Sequence, residues 1–428
     1  MAEPQAAPDR SGVAFWGANM RRRPVTLTKN AATAFSIAAA ASLVLLCTTA
    51  IAAAALGHTT RGRPPPHSVF HLRLDGRLAA AGDALCGSVH VSRRSLAELS
   101  CRALQQTTHR GPYPFVWQMT QTIGATLIAT PTASPQARQR YAAQVYQTFR
   151  PYAHGRPFWT GLSPSVAGGL RYYDDNAWIG MDLMQAYAES HDRRCLRAAE
   201  AILRFQRTGE WRPSDPPDQR RYPGGIYWNV NRRFRPVNAT AGTTILALEL
   251  YAATHAPSDL ALARREYQWL HQTLGTPSGL YRSAVDPDGI IIGSSEDNGE
   301  GFMIRAGLLL YQITHQKLYL NQAIQTAAAS LRRFTPAVLE DTCPAYDASF
   351  LYGVTRLTSV VKVARLMRFN RITLLASVTA TLKAYAKWVG KHSNPRTGVF
   401  EVSYSQGPCR TTAPQAGAAG ALILQAGG

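Results

Sequence analysis

Apolar residues recur at helical spacing through most of the chain after about Ser92. A recurrence every three or four residues is typical of helices that bury one face. It predicts helices over 94–108, 114–129, 136–150, 175–190, 193–206, 239–255, 258–273, 300–315, 317–334, 346–367, 372–390 and 412–425. Segments that look like strands are few and short, such as Gly289–Gly293 within a loop. We therefore expect an all-α protein.

The connections between the predicted helices are unequal in length. Only a short turn at His191-Asp192 joins helix 175–190 to helix 193–206. Much longer loops, rich in aromatic residues, Gly, Asp and Asn, cover 207–238, 274–299 and 391–411. Loops longer than about 12–15 residues without their own structure are usually functional. Helical hairpins with short turns at one end and long loops at the other indicate an (α/α)6 barrel, a toroid of about six hairpins, with its site at the long-loop rim.

A long uncharged segment runs from Ala31 to Gly57. A membrane-spanning helix needs about 20 apolar residues, whereas the apolar core of a signal peptide has roughly 7–15. Arg21–Arg23 and Lys29 precede the segment, which by the positive-inside rule leaves the N-terminus in the cytoplasm. We expect a single-pass anchor in the cell membrane and an extracytoplasmic catalytic domain. Cleavage near Ala52–Ala55 is the alternative and would make the protein secreted.

These patterns divide the chain into four parts. Residues 1–30 form a cytoplasmic tail, 31–57 the transmembrane signal anchor and 58–92 an extracytoplasmic linker, in which Pro64–Pro66 is a stiff spacer. Residues 93–428 form the barrel domain.

The charge balance is strongly basic, with 46 Lys and Arg against 26 Asp and Glu and a net charge of +20. This predicts attraction to anionic surfaces, although a general shortage of acids from lineage or low external pH explains it too. The basic residues are scattered without a nucleic-acid-binding motif, so we expect no nucleic-acid partner.

The six cysteines show no CxxC spacing, so we expect no zinc site. Cys86 with Cys101 and Cys343 with Cys409 are candidate disulfide pairs in an exported domain. Buried free thiols are the alternative.

An adjacent acidic pair, Asp174-Asp175, stands at the start of predicted helix 175–190. Asp is common at helix N-caps and in first turns, where it meets free amide groups and the helix dipole. Capping explains one Asp well, but it explains less well two that are flanked by Tyr172, Tyr173 and Trp178. Aromatic rings stack on the apolar faces of sugars while carboxyl groups act on the glycosidic bond, so this combination favours a glycosidase.

The spacing of the pair bears on its mechanism. Carboxyl groups about 5–5.5 Å apart support retention through a covalent intermediate, and about 6.5–9.5 Å supports inversion. Consecutive residues at a helix start can reach the shorter distance. Two close carboxylates resist double ionisation, so the pair can keep one proton and divide the two roles.

The run Tyr172–Trp178 resembles the signature of glycoside hydrolase family 76, endo-α-1,6-mannanases with an (α/α)6 barrel. Supporting resemblances follow in the same order, at Gly224–Asn229, Asn238–Thr240 and Gly301–Tyr311. The resemblance covers about residues 110–425. It implies that Asp174 is the nucleophile and Asp175 the acid/base of a retaining enzyme, with no metal and no organic cofactor.

The resemblance also suggests the partners and the substrate contacts. We expect an α-mannan-like polysaccharide substrate, attachment to the membrane through the N-terminal helix, and a monomer. One departure stands at Asn298–Gly301, where the family has Tyr-Asn-Gln-Gly and this chain has a charged Glu300. Glu300 is also explained as an acid at a helix N-terminus. The candidate substrate-binding residues are Tyr173, Asn176, Trp178, Trp228, Asn229, Asn238, Asp297 and Glu300.

Other function classes remain open at this point. The departure at Asn298–Gly301 favours a non-catalytic or transglycosylating glycan-binding protein of the same fold, whereas the intact Asp pair argues against loss of catalysis. Unsaturated-glucuronyl hydrolases and sugar epimerases with α/α toroids place their acids or histidines differently. A structural protein of the cell envelope would leave the aromatic, carboxylate-bearing loops unexplained.

Overall fold

The structure is a computed structural model that describes residues 135–153, 170–293 and 297–334, with short pieces within 116–123, 374–384 and 403–408. The parts 1–30, 31–57 and 58–92 and the predicted helices 94–108, 346–367 and 412–425 lie outside the described residues, as do both candidate disulfide pairs. Among the helices that are described, none is long and apolar enough to cross a membrane.

Seven helices account for most of the described chain, namely α1 (Pro135–Phe149), α2 (Tyr173–Ser190), α3 (Arg193–Thr208), α4 (Val237–Thr254), α5 (Pro257–Trp269), α6 (Asp297–Thr314) and α7 (Lys317–Arg333). Short 3-10 helices cover Arg150–Tyr152 and Pro217–Arg221, and a π-helical turn over Leu270–Leu274 extends α5. The seven corresponding predictions are confirmed as helices, with starts close to those predicted from apolar spacing.

The helices are arranged as three consecutive hairpins, α2–α3, α4–α5 and α6–α7. The first helices of the hairpins lie side by side, because α4 packs against both α2 and α6. Helix α1 packs against α2. The described part is therefore mostly helical and consistent with a helical barrel, with α2, α4 and α6 as its inner layer.

The inner and outer helices differ in how much of their surface is buried. In α4 nearly every residue from Val237 to Leu250 is buried, so the helix has no polar face. In α3 the buried residues form one stripe that includes Leu196, Ile202 and Leu203. A helix that is apolar all round belongs inside a protein, and an amphipathic one covers its surface.

Small residues bring α2 and α4 close together. A Cβ on Gly180 would lie 2.7 Å from Leu246 Cδ2, and one on Gly242 would lie 2.9 Å from the Ala177 Cβ. Both distances are shorter than a normal carbon contact, so larger side chains would push the two helices apart. This close packing brings the starts of α2 and α4 to the same rim.

A small antiparallel sheet forms part of that rim. Its strands are β1 (Arg235–Pro236), β2 (Ala284–Val285) and β3 (Ile291–Ile292), in the order β1-β2-β3. Arg235 pairs with Val285, and Val285 with Ile291. The predicted short strand within Gly289–Gly293 is confirmed, and the sheet joins the two long loops 207–238 and 274–299. Farther along the chain, β4 (Ser403–Tyr404) pairs with β5 (Gly407–Pro408).

The three inner helices end in the same way. His191, His255 and His315 each follow a helix in the left-handed conformation, with φ of 55°, 57° and 57°. Each His amide donates to the carbonyl of a Tyr four residues earlier, at Tyr187, Tyr251 and Tyr311, over 2.8 Å. A left-handed residue with this bond closes a helix C-terminus.

Candidate active site

The acidic pair lies in the first turn of α2, against the loop that follows α3. Tyr172 is the N-cap and makes no side-chain capping bond. The Tyr173 amide donates to the Trp228 carbonyl over 2.7 Å, and the Val230 amide donates to the Arg171 carbonyl over 3.1 Å. The start of α2 is therefore held by the backbone of the 207–238 loop, which supplies the partner that an uncapped first turn needs.

Asp174 is the meeting point of three segments. Its Oδ2 accepts from Trp228 Nε1 at 2.9 Å and from Asn238 Nδ2 at 3.1 Å. Its Oδ1 accepts from the Asp175 amide at 2.9 Å. The Trp228 donor comes from the loop and the Asn238 donor from the first turn of α4. The carboxylate is 8% exposed and its orientation is fixed by these donors.

Burial raises the pKa of Asp174 to about 6, even though the hydrogen bonds from Asp175, Trp228 and Asn238 lower it. Three donors favour the anion. At neutral pH the group is therefore a buried, hydrogen-bonded carboxylate.

Asp175 is half-buried beside this anion. Burial, followed by the negative charge of Asp174, raises the pKa of Asp175 well above its usual range. The two groups interact strongly, and the pair as a whole holds one proton more readily than two separate carboxyls would. The arrangement places an oriented carboxylate next to a second carboxyl whose pKa is raised, which N-capping alone does not require.

Tyr172 is a site residue that the sequence analysis used only as an aromatic flank. Its ring meets the Trp228 ring edge-on, with centroids 5.1 Å apart. Burial raises the pKa of Tyr172, and the charges of Asp175 and Asp174 raise it further. The ring therefore lies beside both carboxyl groups. In the sequence, its position just before the first turn of α2 indicates that Tyr172 lies at the rim.

Three predicted substrate contacts on α2 are buried instead. Tyr173 stacks on Phe205 with centroids 4.5 Å apart, and its hydroxyl bonds Thr208 Oγ1 at 3.0 Å. Trp178 packs against Phe302 with centroids 4.6 Å apart, within the main apolar core. Asn176 is completely buried and donates to the Tyr172 carbonyl over 2.6 Å. The structure gives all three packing or hydrogen-bonding roles within the fold.

The other predicted contacts divide in the same way. Trp228 and Asn238 donate to Asp174, as described. Asn229 accepts from the Asn231 amide at 3.0 Å and so stabilises a turn. Glu300 is completely buried and accepts from the Tyr281 amide at 2.9 Å, which leaves it no surface for a sugar. Asp297 begins α6, but its side chain lies outside the described residues.

The loop that carries Trp228 is held by an ionic cluster that sequence reasoning missed. Asp215 is buried and forms a 2.8 Å ion pair with Arg232, which also lies over the Tyr227 ring. The Tyr227 hydroxyl donates to Asp215 over 3.1 Å. These residues are spread over a long loop, so no periodic pattern indicates that they meet.

Within the described ranges no group of three His, Cys, Asp or Glu side chains could hold a metal ion. Cys195 on α3 is a free, buried thiol, and burial raises its pKa to about 12. It is therefore an inert core residue.

Comparison with known proteins shows the family of the chain. The family model of glycosyl hydrolase family 76 matches residues 95–420, most of the chain. The chain belongs to glycosyl hydrolase family 76. The resemblance seen at Tyr172–Trp178 is thereby confirmed. No curated protein sequence matches this family 76 chain.

Solved structures show the same fold at low identity. An α-mannanase of family 76 from Bacteroides thetaiotaomicron is 17% identical, with a TM-score of 0.61, over 82% of this chain and 95% of that one. An inactive variant of an α-1,6-mannanase from Salegentibacter sp., in complex with α-1,6-mannotriose, is 15% identical, with a TM-score of 0.62, over 82% and 98%. Dfg5 from Chaetomium thermophilum, in complex with glucosamine, is 15% identical, with a TM-score of 0.52, over 72% and 80%.

Proposed function

We propose that this family 76 chain is a retaining glycosidase that cleaves α-1,6-mannan-like polysaccharide within the polymer chain. The observation that carries the proposal is the asymmetry of the acidic pair. Asp174 is oriented by hydrogen bonds from Trp228 and Asn238, whereas burial and the charge of Asp174 raise the pKa of Asp175 beside it. A retaining glycosidase needs one group of each kind.

In the proposed mechanism, Asp174 attacks the anomeric carbon while Asp175 gives its proton to the oxygen of the leaving sugar. The glycosidic bond breaks and a covalent mannosyl ester forms on Asp174. Asp175, now ionised, takes a proton from a water molecule whose oxygen attacks the anomeric carbon. The ester bond to Asp174 breaks, and the sugar leaves with retained configuration. Trp228 and Asn238 keep the attacking oxygen of Asp174 in place. Tyr172 and the Trp228 ring offer aromatic surface beside the reacting groups.

A relative supports the choice of substrate and of reacting residues. The Salegentibacter structure is described as an inactive variant in which two adjacent aspartates are replaced by asparagine, with α-1,6-mannotriose bound. By analogy we assign the same two roles to Asp174 and Asp175, and α-1,6-linked mannose to the cleft.

The test is incubation of the full-length chain with α-1,6-mannan, followed by product analysis. We expect short mannooligosaccharides with retained anomeric configuration, and none from the matched control Asp174→Asn. A mechanism-based mannosyl inhibitor should label Asp174. Label on another residue, or inverted products, would overturn the assignment of roles.

The departure at Asn298–Gly301 favours a second candidate, a glycan-binding or transglycosylating protein of the same fold. Binding of α-1,6-mannooligosaccharides without products, or with longer products, would select it over hydrolysis.

We also propose the six-hairpin (α/α)6 form of the barrel, a monomer, and anchoring of the domain outside the cell membrane by residues 31–57. The uncharged segment and the basic residues before it support the anchor. Recovery of the chain in a soluble extracellular fraction would instead indicate cleavage.

A further inference from the structure

The Gly224-Gly225 turn, just before Trp228, is packed onto the outer helix α5. Both glycines have positive φ, 118° and 82°. A Cβ on Gly224 would lie 2.5 Å from Trp269 Cδ1, and one on Gly225 would lie 2.6 Å from Trp269 Cη2. Only glycine fits, because the indole ring lies against the backbone and the conformation disfavours side chains. The turn therefore packs directly against the ring of Trp269.

Two buried ionisable side chains hold this turn through hydrogen bonds to its backbone. Arg235 is completely buried, and its Nη1 donates to the carbonyls of Tyr222 and Gly224. Glu266, on α5, is 2% exposed and accepts from the Gly225 amide at 3.0 Å. Hydrogen bonds to ionised groups are stronger than neutral ones. The two ends of one turn are thus bound by a guanidinium and by a carboxyl group, whose pKa burial raises to about 7.

Arg235 has further contacts that fix the same region. Its Nη2 donates to the Gln219 carbonyl over 3.0 Å, and its Nε donates to Gln219 Oε1 over 3.2 Å. Its guanidinium lies 5.4 Å from the Trp269 ring centroid. A buried guanidinium with this many acceptors keeps its charge while it orders the loop around it.

The chain continues from the turn directly to both donors of Asp174. After Gly225, the Ile226 amide donates to Thr240 Oγ1 on α4 over 3.0 Å. Trp228 follows and donates to Asp174. Arg235 itself lies in β1, which leads into α4 and Asn238. Displacement of the turn would therefore move Trp228 and the start of α4 relative to the carboxylate.

We propose that Arg235 and Glu266 are positioning residues, which hold the Gly224-Gly225 turn so that Trp228 and Asn238 keep their donors on Asp174. The proposal rests on the proposed function, in which Asp174 is the nucleophile. Neither residue touches the reacting atoms, and both act through the turn between them. The outer layer of the barrel thereby takes part in setting the ionisation of an inner-layer carboxylate.

The experiment compares Arg235→Lys and Glu266→Gln with the wild-type, as full-length chains in detergent micelles. Lys keeps the charge but lacks the planar fork that reaches several carbonyls, and Gln keeps the size of Glu without its charge. Arg207→Lys is the matched control, because Arg207 forms a surface ion pair with Asp259 at 2.9 Å. Circular dichroism first establishes that each variant is folded.

The primary readout is the indole N–H resonance of Trp228, assigned by its loss in Trp228→Phe. In the wild-type and in Arg207→Lys it should titrate with Asp174 at a pH of about 6. The midpoint should rise by about one pH unit in Arg235→Lys and by about half a unit in Glu266→Gln, since weaker donors favour the anion less. On α-1,6-mannooligosaccharide, kcat of Arg235→Lys should fall about tenfold, with KM within about twofold.

Unchanged Trp228 titration in folded Arg235→Lys and Glu266→Gln would overturn the proposal. If Arg235→Lys does not fold, Glu266→Gln decides alone, and an unchanged midpoint in that variant overturns it. Absence of mannan cleavage by the wild-type, with the midpoints shifted as expected, would refute the proposed function while the positioning role stands.

Discussion

The inner helices α2, α4 and α6 differ between their C-terminal and N-terminal ends in the residues that stand there and in the hydrogen bonds that those residues make. At their C-terminal ends, the same left-handed His and the same bond to a Tyr carbonyl occur three times. At their N-terminal ends, the first turns of α2 and α4 bring Asp174 and Asn238 together, and Asn238 donates to Asp174. The C-terminal ends close the helices in one repeated way, and the N-terminal ends hold the acidic pair to which we assign the proposed chemistry.

The two ends also differ in their polar groups. At the C-terminal ends, backbone groups are satisfied locally, as where Ser190, Thr254 and Thr314 donate to carbonyls one turn earlier. At the rim, Asp174 and Asp175 have pKa values raised by burial. A carboxyl that must ionise against burial costs stability, and functional sites commonly carry such a cost. The comparison predicts which substitutions affect activity and which affect only stability.

The largest effect is expected from Asp175→Asn at the rim. Turnover should fall by about three orders of magnitude, because no proton donor is left for the leaving oxygen. Stability should not fall, because the folded-state pKa of Asp175 is raised above its unfolded value. The carboxyl therefore destabilises the folded state increasingly as pH rises above the unfolded pKa. Asn does not ionise and so removes that cost at neutral pH. Thermal melts at pH 7 and pH 4 would check this, with any gain expected at pH 7 only. Unfolding of the variant would instead support a capping role.

The pH dependence of activity gives the next effect. Activity should decline as pH falls through about 6, since Asp174 must be ionised to attack. It should decline again on the alkaline side, as Asp175 loses its proton. Asn238→Ala should move the acid limb upward, because the anion loses one donor. A pH profile of kcat/KM measures both limbs, and an Asn238→Ala profile identical to the wild-type would contradict the assignment of the acid limb to Asp174.

The smallest effect is expected at the opposite end of the helices. Gly in place of His191, His255 or His315 should stabilise the fold by about 0.5–1 kcal/mol at each position, because Gly adopts positive φ without strain. Activity should stay unchanged. Chemical denaturation and a mannan assay would show this. The matched control is His255→Ala, which keeps the strained conformation and loses the ring contact with Tyr251, and so should be less stable. A change in kcat in the Gly variants would contradict the claim that the C-terminal ends of the inner helices affect only stability.

Some residues of the candidate site could be predicted from the sequence. Asp174-Asp175 and Asn238 stand in the first turns of helices, and helix starts follow from apolar spacing, whereas Trp228 lies in a loop and was indicated by the motif Gly224–Asn229. Tyr173, Asn176, Trp178 and Glu300 were expected at the rim as well, yet they are buried. Each lies on an inner helix that is buried all round, so the pattern does not show which face meets the cleft.

The sequence by itself determined the seven described helices, the order of their three hairpins, the family and the position of the acidic pair, because these depend on local spacing and on contiguous motifs. Only the tertiary structure decided that Trp228 and Asn238 converge on Asp174, that Tyr172 lies beside the pair, and that Arg235 and Glu266 hold one turn between them. Those contacts join residues far apart in the chain, and their geometry follows from the close packing of α2 on α4 and from the fold of an irregular loop. No periodic pattern specifies either of these.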